Sequence, residues 1–168
     1  MDPKPSRANR PAVDFNRALR SSSHAEAFAN FLRAAESGCV RAQFLVGLAY
    51  HTGRGVAVDC ERAGMWYRKA AGSGDSHAIA NLGVMSLLGQ GAPGDELEAY
   101  TWVQSAVGLG HEWLRPALDL LERCVATGEN FDRAIGENAR ILASVSPETP
   151  IFRSCTQADC DPSRCNVV

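Results

Sequence analysis

An internal repeat with a period of 36 residues constrains the fold of this chain more than any other feature. Residues 38–73 and 74–109 align with each other without a gap. The shared positions hold glycines, alanines, one aspartate and one tryptophan: Gly38, Ala42, Gly47, Gly53, Gly55, Asp59, Ala63, Trp66, Ala70 and Gly74 recur as Gly74, Ala78, Gly83, Gly89, Gly91, Asp95, Ala99, Trp102, Ala106 and Gly110. A period of this length is typical of stacked supersecondary units that cannot bury their apolar faces alone.

Each repeat is predicted to be a hairpin of two α-helices. Apolar residues in the second repeat are spaced three and four apart, at Ala78, Leu82, Met85 and Leu88, which is the period of a helix. The shared small residues let two helices approach closely, and Trp66 and Trp102 are predicted to fill the space between neighbouring hairpins.

The stretch "LLGQGAPGDELE" fits the G-x-G-x-x-G spacing of dinucleotide-binding loops at Gly89, Gly91 and Gly94. That motif binds a pyrophosphate only where a strand leads into it and a helix follows. A helical pattern leads in here, so the motif is interpreted as a loop. Its glycines reverse the chain, and Asp59 and Asp95 are predicted to N-cap the helices that follow the two loops.

The pattern "AAESGCVRAQFLVGLAYHTGRGVAVDCERAGMWYRKAAGSG" resembles the Sel1-like repeat, a relative of the tetratricopeptide repeat built from two antiparallel α-helices. The resemblance covers about residues 24–145, with degenerate repeats on both sides of the two clear ones. The second repeat departs from the first at Ser86, opposite Tyr50, and at Ala92, opposite Val56.

The resemblance implies an all-α fold, a right-handed α/α solenoid of helical hairpins with about seven helices. The predicted organisation is a disordered basic and Pro-rich arm over 1–21, the solenoid over 22–145, and a flexible cysteine-containing tail over 146–168. The expected helices span approximately 22–36, 40–52, 59–73, 76–88, 95–109, 111–126 and 130–144.

Composition narrows the class of protein. An apolar content of 45% excludes wholesale disorder, and a net charge of -2 argues against a general nucleic-acid binder. The sequence shows no secretory signal and no membrane-spanning stretch, so we expect a cytoplasmic protein. Cys39 and Cys60 begin the two antiparallel helices of one hairpin and therefore lie at opposite ends, so the disulfide that links the helices of secreted family members is not expected.

Catalytic and cofactor sites are not predicted. "HEWLR" begins like the zinc motif H-E-x-x-H, but Arg115 stands in place of the second histidine, which leaves His111 and Glu112 without a metal partner at helical spacing. The other histidines, His24, His51 and His77, have no nucleophile that the sequence places beside them.

The tail "CTQADCDPSRCNVV" leaves three interpretations open. A zinc or iron–sulfur site would need a fourth ligand, and the tail lacks both C-x-x-C spacing and histidine. The ending "CNVV" is similar to a prenylation signal at Cys165, with Cys160 or Cys155 available for a second acyl chain. The third interpretation is a redox-exposed tail without a bound group.

The function implied by the resemblance is a non-catalytic adaptor that binds a partner protein or peptide on the concave face of the solenoid, without cofactor or metal. A lipid-anchored recruitment factor and a metal-binding or redox-responsive regulator are the alternatives.

In tetratricopeptide-like hairpins the first helix lines the concave face. Its predicted binding residues form an apolar strip with basic edges: Arg41, Phe44, Leu48, His51, His77, Val84, Leu87, Trp113, Leu120 and Arg123. The same strip is alternatively covered by the chain's own "PETPIF" segment, through Ile151 and Phe152, or by the final helix.

The intact mass of the protein from its native source separates the three functions. The adaptor predicts an unmodified tail with its thiols intact. A prenyl-sized addition on Cys165 with loss of the last three residues would instead establish anchoring, and bound zinc would establish the metal-binding regulator.

Overall fold

The computed structural model describes residues 10–90 and 96–128, and every regular element in this part of the chain is helical. Its seven α-helices confirm the predicted all-α class. They are α1 (Arg10–Leu19), α2 (His24–Glu36), α3 (Val40–Thr52), α4 (Cys60–Gly72), α5 (Ser76–Leu87), α6 (Glu96–Gly108) and α7 (Arg115–Thr127), with a short 3-10 turn at Glu112–Leu114 before α7.

The helices pair into hairpins within two compact units. One unit holds α1 to α4, through Asp75, with α1 packed on α2, α2 on α3, and α3 on α4. The other begins at Ser76 and holds the α5–α6 hairpin followed by α7. The observed helices from α2 to α6 begin and end within two residues of the predicted bounds. The helix predicted over 130–144 lies outside the described residues.

Helix α1 corrects the predicted disordered arm, which was placed over residues 1–21. Phe15 and Ala18 are spaced three residues apart, so both fall on one side of α1, where they are buried. The ring of Phe15 lies 5.5 Å from that of Phe31 on α2, measured between centroids. The prolines and arginines of residues 1–21 favoured a prediction of disorder, because the apolar face of α1 is short and gives only a weak helical pattern. Helix α1 is therefore the first helix of a hairpin with α2, whereas the sequence pattern predicted only α2.

The connection between α3 and α4 depends on two glycines and one cap. Gly53 ends α3 with a φ of 73°, and Gly55 has a φ of 79°, both in the left-handed region that other residues rarely adopt. A Cβ at Gly55 would also collide with the main-chain carbonyl of His24. Asp59 then starts α4, because its Oδ1 accepts a hydrogen bond from the Arg62 amide at 2.9 Å. The predicted turn and N-cap are confirmed in this repeat.

In the α3–α4 and α5–α6 hairpins the two helices make close contact at a glycine. A Cβ at Gly47 would lie 2.7 Å from Cδ1 of Tyr67, and a Cβ at Gly83 would lie 3.1 Å from a methyl carbon of Val103. Glycine therefore lets the second helix place a larger side chain directly on the first. The alanines predicted to lie at helix contacts are fully buried as well: Ala42, Ala63, Ala78 and Ala99.

The tryptophan that each clear repeat holds at the same position is predicted to fill the space between neighbouring hairpins. Trp66 and Trp102 are only partly buried. The Lys69 ammonium lies 4.2 Å from the Trp66 ring centroid, and the Trp102 indole donates a hydrogen bond to Glu98 at 3.1 Å. The large side chain that α4 buries completely is the next one, Tyr67, because Gly47 leaves space for its ring.

The Tyr67 hydroxyl is buried without a hydrogen-bond partner among the described residues. Desolvation raises the pKa of this group far above its usual range, and the nearby Cys60 raises it further, so the hydroxyl remains protonated. A buried hydroxyl of this kind contributes no stability to the fold through hydrogen bonding, so the stabilising part of Tyr67 is its ring.

Replacing Tyr67 by alanine should lower the free energy of unfolding by roughly 3 to 5 kcal/mol, because it empties the space beside Gly47. Tyr67→Phe is the matched control, and it should leave stability unchanged or higher, because it removes only the unpaired hydroxyl. Urea denaturation followed by circular dichroism measures both. An alanine variant as stable as the phenylalanine variant would show that the ring is not a packing element.

Candidate partner-binding surface

The glycine-rich loop after α5 does not have the surroundings of a dinucleotide site. Helix α5 delivers the chain to Gly89, which has a φ of 63°, and α6 follows the loop. The described residues supply no strand before it, whereas a pyrophosphate loop needs one. Gly91, Gly94 and Asp95 lie outside the described residues.

In the first unit, the predicted binding residues of α3 gather around Tyr67 of α4. Phe44 and Leu48 are 4% and 7% exposed. The Phe44 ring lies 5.8 Å from the Tyr67 ring and the half-buried His51 ring lies 6.2 Å from it, between centroids. The apolar members of this set are therefore part of the hairpin core.

Arg41 lies at the edge of this aromatic group. Its guanidinium carbon is 5.0 Å from the Phe44 ring centroid, and its Nη1 is 4.0 Å from Oδ2 of Asp75. Both side chains of this ion pair are largely buried, with 19% of Arg41 and 11% of Asp75 exposed. The pair holds a cation beside an aromatic surface, an arrangement that orients the guanidinium.

In the second unit, the predicted residues divide between the core and the surface. Val84 and Leu87 are 6% and 0% exposed and belong to one apolar cluster with α6 and α7. Trp113 packs against the edge of that cluster, and Leu120 is buried beside Cys124. The side chains that face solvent are His77 and Arg123.

The burial of the apolar strip has a cause in the repeat itself. Phe15, His51 and Leu87 occupy the same position of successive first helices. Phe15 contacts Phe31, His51 contacts Tyr67, and Leu87 shares a cluster with Val103, and these three partners also lie 36 residues apart. The position therefore packs inside its own hairpin. Among the described residues, the apolar members of the predicted strip are buried within their own units: Phe44, Leu48, Val84, Leu87 and Leu120.

The structure also bears on the metal and disulfide expectations. Glu112 forms an ion pair with Arg115 at 3.3 Å, the residue that interrupts the zinc-like motif. The described residues contain no group of three or more histidines, cysteines or carboxylates arranged around one point. Cys39 and Cys60 begin antiparallel helices of 13 residues, which separates them by about 20 Å, too far for a disulfide.

The tail carrying Cys155, Cys160 and Cys165 lies outside the described residues, as do Ile151 and Phe152. Lipidation at Cys165 or Cys160, and occupation of the first-helix surface by "PETPIF", stay predictions from the sequence. Across the described helices, none combines the length and the apolar character needed to cross a membrane.

Comparisons with known proteins point to one repeat family. The family model described as "Sel1 repeat" matches residues 16–39, 40–75 and 76–111. The crystal structure of a Sel1 repeat protein from Oxalobacter formigenes has a TM-score of 0.65 and 26% identity, covering 83% of this chain and 59% of that chain. A protective antigen of uropathogenic Escherichia coli with an SLR fold has a TM-score of 0.56 and 25% identity, covering 72% and 30%.

Two curated proteins share the repeat sequence. Chitin synthase regulator SKT5 of Saccharomyces cerevisiae is 47% identical over 57 residues, which cover 34% of this chain and 8% of that protein. The ERAD-associated E3 ubiquitin-protein ligase component HRD3A of Arabidopsis thaliana is 40% identical over 72 residues, covering 43% and 11%. The matched segments thus span only about a tenth of the length of these relatives.

Proposed function

Because the chain belongs to the Sel1 repeat family, we propose that it is a non-catalytic adaptor that binds a protein or peptide partner. The observation that carries the proposal is the match of three consecutive segments to the Sel1 repeat. Proteins of this family generally mediate protein–protein interaction and generally act as scaffolds without catalysis. Fold membership does not name the partner, which must be argued from the surface.

The curated relatives support the same kind of activity. One is a regulator of chitin synthase and the other is a component of a ubiquitin-protein ligase, so each of these relatives is described in relation to an enzyme. We infer that this chain likewise works through contact with another protein. We propose the cytoplasm as the site of this activity, since Cys39 and Cys60 are too far apart for the hairpin disulfide that the resemblance implies for secreted family members.

The partner surface we propose lies on the first-helix side of each unit. Its contacts with the partner are made by the polar and aromatic residues of that side. In the first unit these are the partly exposed His51 and Arg41, whose side chain is 19% exposed and paired with Asp75. In the second unit they are His77, Trp113 and Arg123. The buried residues of the predicted strip hold these side chains in place: Phe44, Leu48, Val84, Leu87 and Leu120.

The chemistry of these residues favours a partner that carries carboxylates. Arg123 supplies an exposed permanent positive charge, and Arg41 carries a second charge that is paired with Asp75. Guanidinium groups pair with carboxylates through two parallel hydrogen bonds. Trp113 adds an aromatic surface, a residue type enriched at the centres of protein interfaces. We therefore propose an acidic peptide segment as the preferred ligand of each unit.

Capture from an extract of the native source tests the proposal. The immobilised full chain should retain a reproducible set of proteins, identified by quantitative mass spectrometry. Arg41→Gln and Arg123→Gln should each reduce that retention, roughly tenfold if an interface ion pair is lost. Arg68→Gln is the matched control, because Arg68 is exposed on α4, a second helix.

The outcomes separate function from surface. A wild-type chain that captures nothing above an inert helical protein would contradict the adaptor function. A chain that captures the same proteins in all three variants would leave the adaptor function standing and contradict the proposed surface. Circular dichroism of each variant shows that the helices are intact before capture is compared.

A further inference from the structure

Two histidines from successive hairpins meet on the surface of the second unit. His77 lies in the first turn of α5, and His111 precedes the 3-10 turn that leads into α7. Their ring centroids are 5.4 Å apart, with an angle of 77° between the ring planes. The zinc-like stretch "HEWLR" lacks the second histidine of its motif, but the fold places His77 next to His111.

The distance is slightly longer than that between two imidazoles that share one metal ion. A ring nitrogen binds such an ion at about 2.0 to 2.1 Å, which places ring centres roughly 4.5 to 5.2 Å apart when the nitrogen–metal–nitrogen angle is between 90° and a tetrahedral angle. The observed separation exceeds this range by a few tenths of an ångström. The site therefore requires a small rotation of the exposed His77 side chain toward His111, and the angle between the planes is free because each ring turns about its own bond to the metal.

The backbone at both histidines is fixed by hydrogen bonds. The His77 carbonyl accepts a hydrogen bond at 2.8 Å from the side-chain amide of Asn81, which is itself buried. The His111 amide donates to the Ala106 carbonyl at 3.0 Å, and the His111 carbonyl accepts from the Leu114 amide at 3.0 Å. The two rings are thus brought together by the fold before any ion arrives, which lowers the entropic cost of binding.

We propose that His77 and His111 form a surface site for a divalent transition-metal ion of the class that prefers imidazole: Cu²⁺, Ni²⁺ or Zn²⁺. Two protein ligands leave the remaining positions to water, so the ion is exchangeable and open to a further ligand. This assignment goes beyond the adaptor function and does not depend on it.

Calorimetric titration of the full chain with Ni²⁺, after removal of any affinity tag, tests the site. Wild-type protein should show saturable binding of one ion, and Mg²⁺, which prefers oxygen ligands, should show none. His77→Gln and His111→Asn should each weaken Ni²⁺ binding at least about tenfold, because each removes one of the two imidazoles. Asparagine is chosen at 111 because it favours the position before a helical turn.

His24→Gln is the matched control, because His24 is exposed at the start of α2 in the other unit, and it should bind Ni²⁺ as the wild type does. Paramagnetic Ni²⁺ should also broaden the imidazole NMR signals of His77 and His111 before those of His24. The proposal is overturned if the wild type shows no saturable binding. It is equally overturned if only one of the two variants weakens binding, or if neither does because other ligands hold the ion.

Discussion

The α3–α4 and α5–α6 hairpins depend on a bulky side chain of the second helix that lies against the backbone of the first. In the α3–α4 hairpin the ring of Tyr67 lies on Gly47, and in the α5–α6 hairpin Val103 lies on Gly83. A methyl group at either glycine would enter the space of the opposing side chain. Since protein interiors are close-packed, this contact sets how near the two helices lie and which residues they bury.

The 36-residue repeat predicted the helices and the small residues between them, but it did not predict which bulky side chains pack on those small residues. Comparison of repeats highlights positions that keep the same residue, such as Trp66 and Trp102. The position that follows them in each repeat changes from Phe31, which is partly buried, to Tyr67 and Val103, which are fully buried, and each packs against a different residue of its first helix. The position that is identical in the two repeats, Trp66 and Trp102, is therefore partly exposed, whereas the neighbouring position, which differs between the repeats, is buried.

The candidate surface was predicted less well than the fold for a related reason. Helix α5 buries eight of its twelve residues, so its apolar pattern does not distinguish the core side from a partner side. The register did place Phe44 and His51 on one side of α3, around Tyr67. It did not show that this side is interior. The contact of His77 with His111 joins two hairpins and has no signature in local spacing.

A double-mutant cycle on Gly47 and Tyr67 tests the central packing contact most directly. The free energies of unfolding of Gly47→Ala, Tyr67→Ala and the double variant are compared with the wild type by urea denaturation. The contact predicts that the alanine at 47 costs about 1 to 3 kcal/mol beside the tyrosine ring and much less once that ring is removed. Costs that add within about 0.5 kcal/mol would contradict the contact, and with it the account of how these hairpins are held together.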